Sequence, residues 1–166
     1  MYHIDFAEET AIPHIMRLVS RCVERLNANG VYQWDEIYPD LATISQDVAN
    51  RTLRGLFDDE KLAGILVLNE NQSPEYAAIP WQLTDPAPLV VHRLCIDPDY
   101  QGKSLSKILM KYTEDYARAN GYRSVRLDAF TNNPVSVNLY RSLDYVERGT
   151  VRFRKGPFYC FEKIIA

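Results

Sequence analysis

Lys103, Lys107 and Lys111 recur at helical spacing in "QGKSLSKILMK", directly after the apolar run "LVVHRLCI" and the turn "DPDY". A helix N-terminus has unpaired N–H groups and partial positive charge, so cations belong there only if an anion sits among them. The chemistry this suggests is capture of a phosphate on backbone N–H groups, with Lys103 and Lys107 as counter-charges. The plain alternative is a solvated lysine face. Placement after an apolar strand favours the anion site, because ligands of open α/β sheets bind beyond the carboxyl ends of strands. A pyrophosphate-bearing molecule is the natural occupant.

The remaining reactive side chains are scattered. Cys22, Cys95 and Cys160 form no CxxC and, being three, no paired disulfide framework. They read as buried thiols of a reducing compartment. Cys95 lies in the apolar strand without a paired histidine, which favours packing over a nucleophile. His3, His14 and His92 show no ligand spacing, so no metal site is expected.

Bulk properties narrow the field. A net charge of −3, from 19 basic against 22 acidic residues, supplies no global field for nucleic acid. With 166 residues, 46% hydrophobic and 25% charged, residues 1–166 suit a single domain with a real core. Asp5, Glu8 and Glu9 stand where a signal peptide needs an apolar stretch, and no run approaches the roughly 18 apolar residues of a membrane span. A soluble, cytoplasmic protein without a membrane partner is expected.

The elements that must position these residues follow from periodicity. Tyr2–Phe6 alternates as a strand, and Ile15, Leu18, Val19, Cys22, Val23 and Leu26 recur as a helix entered at Pro13 and stopped at Gly30. A second helix is expected near Ile44–Arg51, followed by two strands around Asp58–Glu60. "NQSPEYAAIPWQLTDPAP" has four prolines and no period, hence a long loop. Then come the strand "LVVHRLCI" and a helix from about Ser104 to Asn120 with Leu105, Ile108, Leu109, Tyr112, Tyr116 and Ala119 on one face. The strand "YRSVRLDAF", a short helix from Pro134 to about Leu143, and two strands around Arg154–Gly156 complete the chain. Strand 4, its helix and strand 5 form a βαβ crossover, so those two strands should be parallel. The fold class is mixed α/β.

"IDPDYQGKSLSKILM" resembles the acetyl-CoA pyrophosphate loop of the GNAT superfamily of N-acetyltransferases, a Gln/Arg-x-x-Gly-x-Gly/Ala turn preceded by hydrophobic-Asp-Pro and followed by a helix. "NNPVSVNLYRSLDY" resembles the family's second signature, with Asn133 on its asparagine and Tyr140, seven residues later, on its tyrosine. The element order also resembles that fold, a central mixed sheet of six to seven strands with helices on both faces and strands 4 and 5 splayed. Four positions depart from the pattern. Ser104 and Ser106 replace the motif glycines, Ser136 an alanine and Asp144 a glycine. Serine is small, and its hydroxyl can donate to phosphate.

The resemblance implies acetyl-CoA as co-substrate, with no metal. Its pantetheine arm would pair with the backbone of Leu94, Cys95 and Ile96, and its pyrophosphate would rest on Gln101, Gly102, Lys103, Ser104, Leu105, Ser106 and Lys107, with Asn133 also on the cofactor. A strand-4 N–H would polarise the thioester carbonyl. Family enzymes transfer acetyl directly to an amine. Tyr140 is expected as general acid for the leaving thiolate, its phenol being of comparable basicity. Asp128, at the end of strand 5, is expected as general base through water, with Glu75 and His92 as fallbacks. Acceptor loops in this fold follow the first helix and flank strands 3 and 4. Trp34, Asp35, Glu36, Tyr38, Glu75 and Trp81 would form an acidic, aromatic site for a cationic amine of a small molecule or peptide. Arg152, Arg154 and Lys155 could instead draw an acceptor carboxylate. A non-catalytic acyl-CoA-binding module on the same fold is the alternative, and exposed terminal strands leave a homodimer open.

Overall fold

Alternation at period two and recurrence at 3.6 residues become the strands and helices they specify. The computed structural model describes residues 1–166, with strands β1 (Tyr2–Phe6), β2 (Leu53–Asp58), β3 (Lys61–Asn69), β4 (Leu89–Ile96), β5 (Ser124–Phe130), β6 (Val146–Phe153) and β7 (Gly156–Ile164). The helices are α1 (Ile12–Ala28), α2 (Leu41–Ala49), α3 (Leu105–Ala119) and α4 (Pro134–Ser142). One seven-stranded mixed sheet has the order β1-β2-β3-β4-β5-β7-β6. The β4–β5 ladder is parallel, as the crossover rule requires, and pairs Leu89 with Val125 and Val90 with Arg126.

The chain divides into two compact units. One comprises Met1–Leu68 and His92–Lys111, the other Asn69–Val91 and Tyr112–Ala166. In the first, α1 turns Ile15, Leu18, Val19 and Cys22 onto Ile44 and Val48 of α2 and onto Leu53, Ile65, Val67 and Cys95 of the strands. Helix α2 begins three residues earlier than the apolar pattern suggests. The Asp40 carboxylate caps it, accepting from Thr43 N at 2.9 Å and Thr43 Oγ1 at 2.6 Å.

In the second unit, β5 pairs antiparallel with β7, and β7 with β6. Tyr76, Ile79, Val90, Val151 and Cys160 form a core there, flanked by Trp81, Phe153 and Phe158. A register shift between Glu147 and Gly149 bulges β6. Arg148 lies at that bulge, and its Nε reaches Glu162 Oε1 at 3.1 Å. The proline-rich stretch 71–88 is a loop with one 3-10 turn at Pro74–Ala78.

One expectation is corrected. On α3, Leu105 and Leu109 are buried, but Ile108 and Ala119 are exposed, and Met110, Thr113 and Ala117 complete the buried stripe. Leu105, Leu109, Thr113 and Ala117 recur every four residues with Met110 beside them on the same face, and the polar side chain of Thr113 hides it from the apolar pattern.

Candidate active site

In the first unit, β4 ends in a tightly braced turn. Asp97 N donates to Ala63 O at 2.8 Å, and Asp97 Oδ1 accepts from Asp99 N at 2.9 Å. Arg21 from α1 holds Asp97 Oδ2 at 3.1 Å and Asp99 Oδ1 at 2.9 Å. Gln101 Nε2 donates back to Ile96 O at 3.1 Å, closing the loop on the strand it leaves. Gly64 on β3 permits the close packing behind this strand, since a Cβ there would meet Ile96 Cδ1 at 2.7 Å and Cys95 O at 3.0 Å.

The turn that follows is shaped by left-handed residues. Gly102 has φ +81° and Ser104 φ +60°. A Cβ on Gly102 would have nothing within 4 Å, so its backbone faces open space. Gln101, Gly102, Lys103, Ser104 and Lys107 are exposed, Ser106 is half-buried, and Leu105 anchors the start of α3 in the interior. Lys103 Nζ lies 4.9 Å from the Tyr100 ring centre. An exposed backbone curve at a helix start with two lysines fits a pyrophosphate. Leu94 is half-buried on β4, while Cys95 and Ile96 are buried. Cys22 Sγ donates to Ile96 O at 3.2 Å, and its hydrogen bond to Cys95, followed by burial, pushes the Cys95 thiol far up. Such a thiol is not an activated nucleophile.

The acceptor-loop candidates of this unit separate. Trp34 is packed in the core with α1 and α2, whereas Glu36 and Tyr38 are exposed. Asp35 Oδ1 accepts from Ile37 N at 3.0 Å and Tyr38 N at 3.2 Å, which folds the loop. Tyr38 Oη accepts from Arg93 Nη1 at 2.7 Å. Arg93 has φ +52° inside β4 and carries its side chain to Asp47 of α2.

In the second unit, Asp128 and Tyr140 come together with a residue the sequence did not single out. Asp128 projects from β5, half-buried, and its Oδ2 accepts from Tyr76 Oη at 2.6 Å. Burial raises its carboxyl to about 6, against the pull of the Tyr76 hydrogen bond. Burial, and then the Asp128 charge, raise the Tyr140 phenol. Tyr140 itself is 6% exposed, its ring set against Tyr145 and Phe161 at centroid distances of 6.0 Å. Asn133 caps α4, its Oδ1 accepting from Ser136 N at 3.2 Å, which fixes the helix that presents Tyr140. Glu75 is exposed, and Trp81 is half-buried with Nε1 donating to Tyr76 O at 2.9 Å. His92 is half-buried on β4. Of the alternative carboxylate-binding residues, Arg152 and Arg154 are exposed and Lys155 half-buried at the β6–β7 turn.

Residues 15–145 match the Acetyltransferase (GNAT) family. The chain belongs to this family. Over 62 residues it is 27% identical to an uncharacterized N-acetyltransferase of Methanocaldococcus jannaschii, covering 37% of this chain and 27% of that relative. The aligned stretch thus spans about a quarter of the curated relative's length. A GNAT-family acetyltransferase from Streptococcus agalactiae superposes with a TM-score of 0.85 at 21% identity, over 98% of this chain and 95% of that one. The Salmonella typhimurium protein yncA, solved with its cofactor acetyl-CoA, superposes with a TM-score of 0.72 at 16% identity, over 99% and 94%. The fold of this GNAT protein is the one these structures share. No helix in it is long and apolar enough to cross a membrane.

Tyr76, Arg93 and Asp47 were missed by sequence reading. Tyr76 neighbours Glu75 in an aperiodic loop, where nothing local marks the side chains that turn inward. Arg93 sits in a mostly apolar strand run that gives no hint of a left-handed residue.

Proposed function

We propose that this protein transfers the acetyl group of acetyl-CoA directly to a primary amine of a small molecule or peptide, with Tyr140 as general acid and Asp128 as general base. One observation carries the reading. The Tyr140 hydroxyl makes no hydrogen bond within the protein although the side chain is buried, and it lies close enough to Asp128 to feel its charge. A phenol so placed is free to donate to a bound thiolate. The half-open carboxylate, raised to about 6, can accept an amine proton directly or through water at neutral pH.

Acetyl-CoA supplies an activated acyl group. The exposed 101–107 backbone, with Lys103 and Lys107, supports binding of its pyrophosphate, and Leu94–Ile96 offers strand backbone for the pantetheine arm. As the amine nitrogen bonds the carbonyl carbon and the carbon–sulfur bond breaks, Asp128 receives the amine proton and Tyr140 gives its own to sulfur. Glu36, Tyr38, Glu75 and Trp81 are the acceptor-binding candidates, the acids offering charge and the rings a cation-compatible face.

Amine-dependent release of free CoA across a panel of polyamines, amino acids and peptides tests the reading. Tyr140→Phe should lower kcat about 100-fold or more with little change in acetyl-CoA affinity. Unchanged kcat in Tyr140→Phe would remove the acid assignment. Intact acetyl-CoA binding without turnover on any amine would remove the transferase.

A further inference from the structure

The two oxygens of Asp128 differ in their surroundings. Oδ2 accepts from Tyr76 Oη at 2.6 Å, the length of a charge-assisted O–H···O⁻ bond. Oδ1 makes no hydrogen bond within the protein and is not sealed from the surface. One oxygen is fastened and the other is open.

We infer that Tyr76 is the positioning residue of the proton-accepting step: its hydroxyl fastens Oδ2 and leaves Oδ1 as the atom that receives the proton. The inference rests on the assignment of Asp128 as base. Tyr76 can do this because it cannot swing away. It is 3% exposed, its ring packs on Trp81 at 5.2 Å, and its carbonyl accepts from Trp81 Nε1 at 2.9 Å and Ile79 N at 3.1 Å. Trp81 in turn lies against the Arg126 guanidinium, 4.1 Å from ring centre to Cζ.

Both ends of the loop that carries Tyr76 are tied to buried charge. Arg126 Nη1 donates to Gln72 Oε1 at 2.6 Å and Nη2 donates to Leu83 O. Glu162 Oε1 accepts from Gln82 N at 2.8 Å. Asp128 therefore meets a donor whose place is preset by the loop that also bears Glu75 and Trp81. Seating of that loop and ionisation of the base go together.

The other groups facing Asp128 do not replace this donor. Tyr140 faces it from α4 and Cys160 from β7, and burial followed by the Asp128 charge raises both, Cys160 to about 12. Arg126, two residues earlier on β5, is engaged by the loop and by Glu162, its Nε 3.8 Å from Oε2. Burial, and then the neighbouring carboxylate, raise the Tyr76 phenol far above its ordinary value. Tyr76 thus stays a donor throughout, and the amine proton goes to Oδ1 without breaking the Tyr76 bond.

The test is a carboxyl-carbon NMR titration of full-length protein labelled in its aspartates, with Asp128→Asn for assignment, alongside the pH dependence of kcat/KM. Asp128 is expected to titrate at about 6 in the wild type. Tyr76→Phe should move the midpoint up by about one unit. Site-specific 3-fluorotyrosine at position 76, a stronger donor of nearly the same shape, should move it down and guards against a folding defect in the phenylalanine variant. The acid limb of kcat/KM should follow in both directions. A midpoint that stays in place in both variants overturns the inference. If the midpoint moves but the acid limb does not, or the limb survives Asp128→Asn, the hold of Tyr76 on Asp128 stands and the base assignment is what falls.

Discussion

Arg93 grips Asp47 through both carboxylate oxygens, Nε to Oδ2 at 2.7 Å and Nη2 to Oδ1 at 2.8 Å, while its Nη1 reaches Tyr38 Oη at 2.7 Å. Three segments meet at one guanidinium: β4, α2 and the loop between α1 and α2. The left-handed backbone at Arg93 is sustained by this fork, since such a conformation costs a residue with a Cβ about 1–2 kcal/mol.

Removing one partner should therefore be expensive. Side-chain exposure is 10% for Arg93 and 9% for Asp47, so either alanine variant leaves a buried, unpaired charge. A loss of about 3–5 kcal/mol is expected in urea unfolding. Arg93→Lys keeps the charge but not the two-point geometry and should recover only part of it. Tyr38→Phe, at an exposed ring, should cost less than about 1 kcal/mol. An unfolding midpoint for Arg93→Ala equal to wild type would show that the fork holds nothing.

The 101–107 turn makes a separate prediction, read by calorimetry with acetyl-CoA. Lys103→Ala combined with Lys107→Ala should weaken binding about tenfold and flatten its salt dependence, because two counter-charges are lost. Ser104→Gly relieves the strain of φ +60° but gains unfolded-state entropy, so stability should change by less than about 1 kcal/mol. Affinity should rise, since the backbone loses its Cβ where the pyrophosphate is to lie. Weaker binding by Ser104→Gly would mean that the serine hydroxyl itself is a phosphate donor.

Most of the scaffold was legible because it is local. The run Leu89–Ile96, the stop at Gly121 and the turn before Gly156 each announce themselves within a few residues. So did the 101–107 turn, where charge contradicts the helix dipole. Tyr76 was not legible, because its role depends on a loop folding back over 52 residues to Asp128. Arg93 and Asp47, 46 residues apart, were missed for the same reason. Buried polar partners are chosen by tertiary packing, and no period in the sequence encodes them.

The thiols provide a check on direct transfer. Cys95 and Cys160 are raised by their surroundings, and all three cysteines are buried. Native protein at pH 8 should resist an aromatic disulfide reagent until denaturant exposes all three. Cys95→Ala should keep kcat within about threefold of wild type, because no covalent intermediate passes through it. An acetylated Cys95 peptide in protein quenched during turnover would contradict this.

Asp128 links function to stability in a direction opposite to most carboxylates. Its folded pKa, about 6, lies above the ordinary 3.8, so between those values the folded state binds more protons than the unfolded state. Stability should thus be highest below about pH 4, fall as pH rises to about 6, and stay low above it. The shift of about two units corresponds to about 3 kcal/mol at most. Asp128→Asn, which is neutral at every pH and can still accept from Tyr76, should be more stable than wild type at pH 8 by up to that amount and indistinguishable at pH 4. The same variant should lose most of its acetyl transfer, as expected where a site keeps a charge that the fold would shed. Urea unfolding of both proteins at pH 4, 6 and 8 decides it: parallel pH dependence in the two would mean that Asp128 carries no such burden.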